Sequence, residues 1–139
     1  YIMMHMKGTP STMASETNYT HLVKDIITSL SQKVEKIHSL GHQQVIIDPG
    51  FGFAKTVDQN YELLANLVEL KKLACPLLVG VSRKSMIYKL LDILPQESLN
   101  ATTVLNTFAL QQGARILRVH DVREAKQAVT LFTKLNEYS

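Results

Sequence analysis

Four short segments of the chain gather side chains of the kinds that do chemistry. They are His5 with Lys7, Asp48 ahead of Pro49-Gly50, Ser82-Arg83-Lys84-Ser85, and Arg118-Val119-His120-Asp121. A carboxylate placed like Asp48 can accept two parallel hydrogen bonds from a planar ligand with adjacent N–H donors, such as a pterin or guanine edge. An Asp before Pro-Gly also suits a simple turn. Ser82 to Ser85 put two cations and two hydroxyls where a helix is expected to begin, and helix N-termini favour anions. A solvated basic turn would use the same residues. Arg118 and His120 are two apart, so on a strand they share one side and can pinch a phosphate or diphosphate. A histidine simply packed at a rim is the other reading of His120. Phe51-Gly52-Phe53 supplies aromatic surface in a loop, either for stacking on a ligand or for burial in the core.

These polar sets follow apolar runs that read as strands: about 1–6, Gln44 to Asp48, Leu77 to Val81, and Arg115 to Val119. Between the strands lie helical spacings. The first, about 16–40, repeats Leu22, Ile26, Ile27, Leu30, Val34, Ile37 and Leu40 by threes and fours, with Gly41 placed to close it. Asp58 is positioned to cap a second helix carrying Tyr61, Leu64, Leu67 and Val68, and Pro76 ends that segment. Met86, Ile87, Leu90 and Leu91 mark further helical material. A helix near 98–112 shows Ala101, Val104, Leu105 and Phe108, closed by Gly113, and a last one near 122–136 presents Ala125, Ala128, Val129, Phe132 and Leu135. The order is βα four times over, which implies a parallel sheet covered by helices. In such folds functional groups gather at the carboxyl ends of the strands. The four polar sets would then share one rim.

Composition narrows the possibilities further. A chain of 139 residues that is 45% hydrophobic can bury a core but not two separate ones. Apolar runs stay well short of the roughly 20 residues that span a bilayer, so a membrane span is not expected. Cys75 is the sole cysteine, which forbids an internal disulfide and suits a reducing, cytoplasmic setting. The net charge of +3 is scattered rather than clustered, so nucleic acid is not an expected partner. The five histidines lack zinc spacing, Gly50, Gly52 and Gly80 form no dinucleotide or P-loop fingerprint, and no Ser-His-Asp set is evident.

Taken together, Met4-His5-Met6-Lys7-Gly8-Thr9-Pro10, Asp48-Pro49-Gly50-Phe51-Gly52-Phe53-Ala54-Lys55-Thr56, Gly80-Val81-Ser82-Arg83-Lys84-Ser85 and Arg118-Val119-His120-Asp121-Val122 resemble the dihydropteroate synthase family. The blocks stand in that family's order and cover nearly the whole chain. Ala54 departs from the pattern, since many members carry Gly there. The resemblance implies an α/β fold that is the C-terminal half, strands five to eight, of a (β/α)8 TIM barrel, as a single pterin-binding half-barrel over 1–139. Because such barrels run to about 250 residues and Tyr1 opens inside a strand, a fragment of a longer barrel domain is expected.

The same resemblance implies transfer of p-aminobenzoate onto 6-hydroxymethyl-7,8-dihydropterin diphosphate with release of diphosphate, Mg2+ being held through the substrate diphosphate and not by protein ligands. Asp48 would hold the pterin edge with Met4 beside it. Lys84 would hydrogen-bond the pterin and border the p-aminobenzoate pocket, lined by Ser85 and Phe53, within the Gly80 block. Arg118 and His120 would hold the diphosphate. The catalytic set is then Asp48, Lys84, Arg118 and His120. Motifs of the family's first barrel half are not among these residues, so little activity is expected from this chain alone. Open edges and apolar interior positions, Ile2, Ile46, Val79 and Leu117, predict a homo-oligomer. Rival readings are a methyltetrahydrofolate-binding domain of a corrinoid methyltransferase, and a non-catalytic scaffold.

Overall fold

The computed structural model describes residues 1–13 and 15–138. Its elements alternate as the sequence spacing predicts: β1 (Ile2–Met4), α1 (Leu22–Ser39), β2 (Ile46–Asp48), α2 (Val57–Ala65), β3 (Leu78–Val79), α3 (Ser85–Leu91), α4 (Leu99–Gln111), β4 (Ile116–Leu117) and α5 (Val122–Asn136). Short 3₁₀ turns, Leu67–Leu73 and Pro95–Glu97, follow α2 and precede α4. β1 pairs with β2 in parallel, Ile2 opposite Ile46 and Met4 opposite Asp48. A single parallel bridge from Ile47 to Leu77 carries the sheet on to β3. β3 then pairs in parallel with β4, Leu78 opposite Ile116 and Val79 opposite Leu117. Four parallel strands thus lie side by side in chain order, separated in sequence by helices.

Side chains alternate across each strand, so the sheet has two faces. One carries Met3, Ile47, Leu77, Val79 and Val81, all buried against Leu22, Ile26, Leu30 and Val34 of α1, Leu63 and Leu64 of α2, and Met86 and Ile87 of α3. Val79 and Leu117, expected on the barrel-interior side, belong instead to this helix-packed side: Val79 is fully buried and Leu117 packs against the core. The opposite face carries Ile2, Ile46, Leu78 and Ile116 at one level and Met4, Asp48, Gly80 and Arg118 at or just past the strand ends. Ile2 is 55% exposed there, whereas Leu78 is covered.

Several boundaries differ from the sequence reading, each for a local reason. α1 begins at Leu22, not near 16, because the Asp25 carboxylate accepts from the backbone N–H groups of Thr20 and His21, satisfying donors from inside the first turn. It ends at Gly41 as expected, where φ is +90° and the Gly41 and His42 N–H groups reach back to His38 and Ile37. Thr56, not Asp58, caps α2: its hydroxyl accepts from the Gln59 N–H while the Gln59 side chain accepts from the Thr56 N–H. α4 is turned only in part from its expected orientation, since Ala101 and Leu105 pack against the core as expected. Thr102, Asn106, Ala109 and Leu110 face inward, leaving Val104 59% and Phe108 39% exposed. Thr102 is inside because it meets polar loop backbone, its Oγ1 accepting from the Arg83 N–H at 3.2 Å, whereas the buried Asn106 Oδ1 has no partner among the described residues.

Candidate functional site

The sheet register decides which polar residues can meet. Gly80 and Arg118 continue the paired alternation of β3 and β4, and Arg118 N–H donates to the Val79 carbonyl at 2.8 Å. A Cβ on Gly80 would lie 3.0 Å from Arg118 Nε and 3.2 Å from Nη2, so the absence of a side chain lets the guanidinium lie across the strand end. Arg118 Nη2 in turn stands 3.9 Å from Asp48 Oδ2. Phe53, Gly80, Ser82, Lys84, Arg118, Val119 and His120 together line a cavity of 370 Å³. Five of the eight residues that the family resemblance assigns to the substrates therefore surround one space, Phe53, Gly80, Lys84, Arg118 and His120, with Ser82 beside them.

The other three sit nearby with different relations to it. Asp48 is 3% exposed and reaches the cavity through Arg118. Its Oδ1 accepts from the Gly50 N–H at 2.8 Å, which makes the turn before Pro-Gly, while Oδ2 is the oxygen toward Arg118. Met4 is the ladder partner of Asp48. Ser85 opens α3 one residue past Lys84, outside the cavity lining. Of the two loop aromatics, Phe51 is core, 1% exposed, and Phe53 is the one at the cavity, with Lys84 Nζ 4.6 Å from its ring centroid.

The electrostatics of this rim are set by burial against a surplus of cations. Burial pushes the Asp48 carboxyl up; the Gly50 N–H, Arg118, Lys84 and Lys55 pull the other way. Burial pushes the Lys84 ammonium down and Arg118 adds to it, while Asp48 opposes. A carboxylate on one side and Arg118, Lys84 and His120 on the other can hold a ligand whose one end donates hydrogen bonds and whose other end is anionic.

Of the first polar set, neither member joins the cavity. Lys7 turns to the Asn18 carbonyl and to the Tyr19 ring. His5 is 4% exposed, its pKa lowered to about 3 by burial and by Lys55, Lys33 and Lys7, so it is a neutral packed imidazole. Lys55, which the spacing of residues did not single out, lies 3.3 Å from His5 Nδ1 and donates to the carbonyls of Gly50 at 3.0 Å and Phe53 at 3.1 Å. Burial lowers its pKa to about 8, with Asp48 opposing. It thus braces the loop that presents Phe53. Asn60 braces the same loop from α2, accepting from the Gly52 N–H at 2.8 Å. Gly50 has φ of +74°, and a Cβ there would sit 1.9 Å from the His5 carbonyl oxygen, so only glycine allows this loop to close on β1.

Two further contacts tie the loop after β3 to the loop after β4. Arg83 donates to both carboxylate oxygens of Asp121, from Nε at 3.2 Å and Nη2 at 2.6 Å, which holds the Asp121 carboxyl below the usual range. Ser82 Oγ lies 2.9 Å from His120 Nδ1 and accepts from the His120 backbone N–H at 3.1 Å. The only hint of these pairs in sequence is that both loops follow neighbouring strands. A larger groove of 730 Å³, lined by residues of α1 and α2 such as Lys24 and Glu62, contains none of the residues expected to do chemistry.

Comparison with known proteins agrees with this geometry. Residues 1–120 match the model of a family described as pterin binding enzyme. The dihydropteroate synthase of Escherichia coli K12 is 40% identical over 129 residues, covering 91% of this chain and 46% of that protein. The crystal structure of Yersinia pestis dihydropteroate synthase with a sulfonamide drug complex superposes with a TM-score of 0.95 at 38% identity, over 99% of this chain and 51% of that one. The Thermus thermophilus enzyme in complex with 6HMPPP superposes with a TM-score of 0.93 at 36% identity, over 97% of this chain and 55% of that one. The same enzyme has been solved in complex with 4-aminobenzoate. The chain spans about half the length of the relatives it matches. With the family model matched over most of its length and the fold shared with these structures, the chain belongs to the pterin binding enzyme family.

Proposed function

We propose that these residues form the C-terminal half, strands five to eight, of a (β/α)8 dihydropteroate synthase barrel, a single pterin-binding half-barrel. The observation that carries the reading is the convergence of Asp48, Phe53, Gly80, Lys84, Arg118 and His120 on one strand-end rim, carboxylate to one side and cations to the other. The four parallel strands in chain order support it, as does the coverage of about half of each relative.

In this reading Asp48 accepts from the pterin's ring N–H and amino edge, Met4 packs beside it, and Lys84 hydrogen-bonds the pterin while Phe53 and Ser85 border the p-aminobenzoate pocket. Arg118 and His120 hold the diphosphate. As diphosphate leaves the pterin methylene, positive charge grows on the ring and negative charge on the leaving group. Asp48 stabilises the first and Arg118, Lys84 and His120 the second, in a site partly shielded from water. The neutral arylamine lone pair forms the C–N bond to the methylene carbon as the C–O bond to diphosphate gives way, and the resulting ammonium loses one proton to solvent or to the departing diphosphate. The lysine, arginine and histidine donors around the cavity fit an anion and not a bare divalent cation. A Mg2+ ion would therefore enter on the diphosphate, where it would help neutralise the leaving group.

The setting we infer is cytoplasmic, and among the described residues no helix is long and apolar enough to cross a membrane. Among the described residues the outer edges of β1 and β4 are unpaired, and with the exposed Ile2 they favour self-association of these 139 residues. Turnover by them alone is expected to be slight. Calorimetric titration with 6-hydroxymethyl-7,8-dihydropterin diphosphate tests the reading: saturable binding that is lost in Asp48→Asn supports it. Binding of methyltetrahydrofolate in its place would overturn it in favour of a corrinoid methyltransferase domain, and binding of neither would leave a scaffold.

A further inference from the structure

We propose that Ser82 is a positioning residue that fixes the tautomer of His120, so that Nε2–H donates to an oxyanion while the imidazole is neutral. The inference rests on the reading of the cavity as an anion site only for its functional consequence, not for the tautomer itself.

Ser82 is 3% exposed, and its hydroxyl has two partners, both on His120. The backbone N–H of His120 can only donate, so it occupies an oxygen lone pair of the hydroxyl at 3.1 Å. The second partner, Nδ1 at 2.9 Å, either accepts the Ser82 hydrogen or donates one of its own. If it donated, the oxygen would accept twice and the Ser82 hydrogen would need a third partner. Among the described residues Ser82 Oγ has none, and a buried hydroxyl hydrogen left unpaired is costly. The hydrogen therefore goes to Nδ1. A neutral imidazole accepting at Nδ1 carries its own proton on Nε2, the nitrogen that has no protein hydrogen bond in the described residues.

The consequence concerns charge. An imidazolium can donate from either nitrogen, but only below its titration range. A neutral ring with a mobile tautomer offers Nε2–H for only part of the time. With the tautomer fixed, a neutral ring keeps donating toward the cavity. The surroundings reinforce the need: Asp121 is adjacent in the chain but committed to Arg83, while Arg118 and Lys84 face His120 across the cavity and Asp48 stands behind Arg118. Two fixed cations already face the anion, so His120 adds a donor without adding a third charge that would be repelled when the cavity is empty.

The test is the imidazole nitrogen spectrum of the full chain labelled with 15N-histidine, at pH 8 and without ligand, with His120 assigned by its loss in His120→Gln. The expected result is an Nε2–H ring in the wild type and in Ser82→Thr, and a tautomer mixture in Ser82→Ala. An Nδ1–H ring in the wild type, or a Ser82→Ala spectrum unchanged from it, would overturn the proposal. Should Ser82→Ala not fold, the wild-type ring and Ser82→Thr still decide the matter. In a second measurement, inorganic diphosphate affinity at pH 8 is expected to fall about 3- to 10-fold in Ser82→Ala. That loss should be rescued by Ser82→Thr, whose hydroxyl can still donate to Nδ1. A loss that Ser82→Thr does not rescue would mean general disruption and would refute the tautomer role. Failure of the wild type to bind diphosphate would instead refute the anion-site reading and leave the spectrum to judge Ser82 alone.

Discussion

The two faces of the sheet differ in almost every respect that matters. On the helix-packed face Met3, Ile47, Leu77, Val79 and Val81 are all within 7% of complete burial, apolar, and fixed by neighbours from three helices. On the other, an apolar level runs from exposed Ile2 through half-buried Ile46 to covered Leu78, and above it stand Asp48, Gly80 and Arg118. The same alternation of side chains produces both. Stability is concentrated on one side and charge on the other, so a substitution's effect should depend more on the parity of its position than on its size. That separation can be tested on each side in turn.

Ile47→Ala is expected to have the largest effect. It deletes a fully buried side chain and should cost roughly 3 kcal/mol of unfolding free energy by urea denaturation. Its diphosphate affinity should be unchanged under conditions where it stays folded. Arg118→Ala should show the opposite pattern: about 10- to 100-fold weaker diphosphate binding by calorimetry, with little change in the urea midpoint. If the second substitution destabilises as much as the first, the division of labour between the faces fails.

His5 sharpens the comparison, because it is a polar group buried at the end of β1. Its folded pKa is lowered to about 3 from 6.5, so between those values the unfolded chain binds the extra proton and stability falls as pH falls. The loss between pH 6.5 and pH 5 should be on the order of 1–2 kcal/mol, and His5→Asn should flatten that limb of the denaturation profile. A limb of equal slope in the variant would assign the acid sensitivity elsewhere. The smallest effect is expected from Asp121→Asn. It removes a partly exposed ion pair and should leave the urea midpoint nearly unchanged, while loosening the loop that carries His120 and so weakening diphosphate binding a few-fold.

The βα order, the parallel pairing and most of the cavity were legible in the sequence, because short apolar runs ending in polar residues keep their meaning whatever lies around them. What escaped was whatever depended on a partner remote in the chain. The inward face of α4 could be read only in part from its apolar spacing, because Thr102 is drawn in by the Arg83 backbone. Lys55 looks like one more surface lysine until the Gly50 and Phe53 carbonyls close around it. The spacing points to Asp58 as the cap of α2, whereas the reciprocal bonds with Gln59 make Thr56 the cap. Val79 and Leu117 fall on the face opposite to the expected one, because a continuous buried run gives no parity of its own.

The contacts that clasp the loops after β3 and β4 join residues 38 positions apart, and the brace from Lys55 to His5 spans 50. None of them can form by local coiling of the chain. Each must wait until parallel strands have met across an intervening helix, and such long-range pairing is the slow kind of folding step. The cavity is accordingly expected to form late in folding. An anion that binds it recognises only the finished chain and should stabilise it by mass action, slowing unfolding more than it hastens folding.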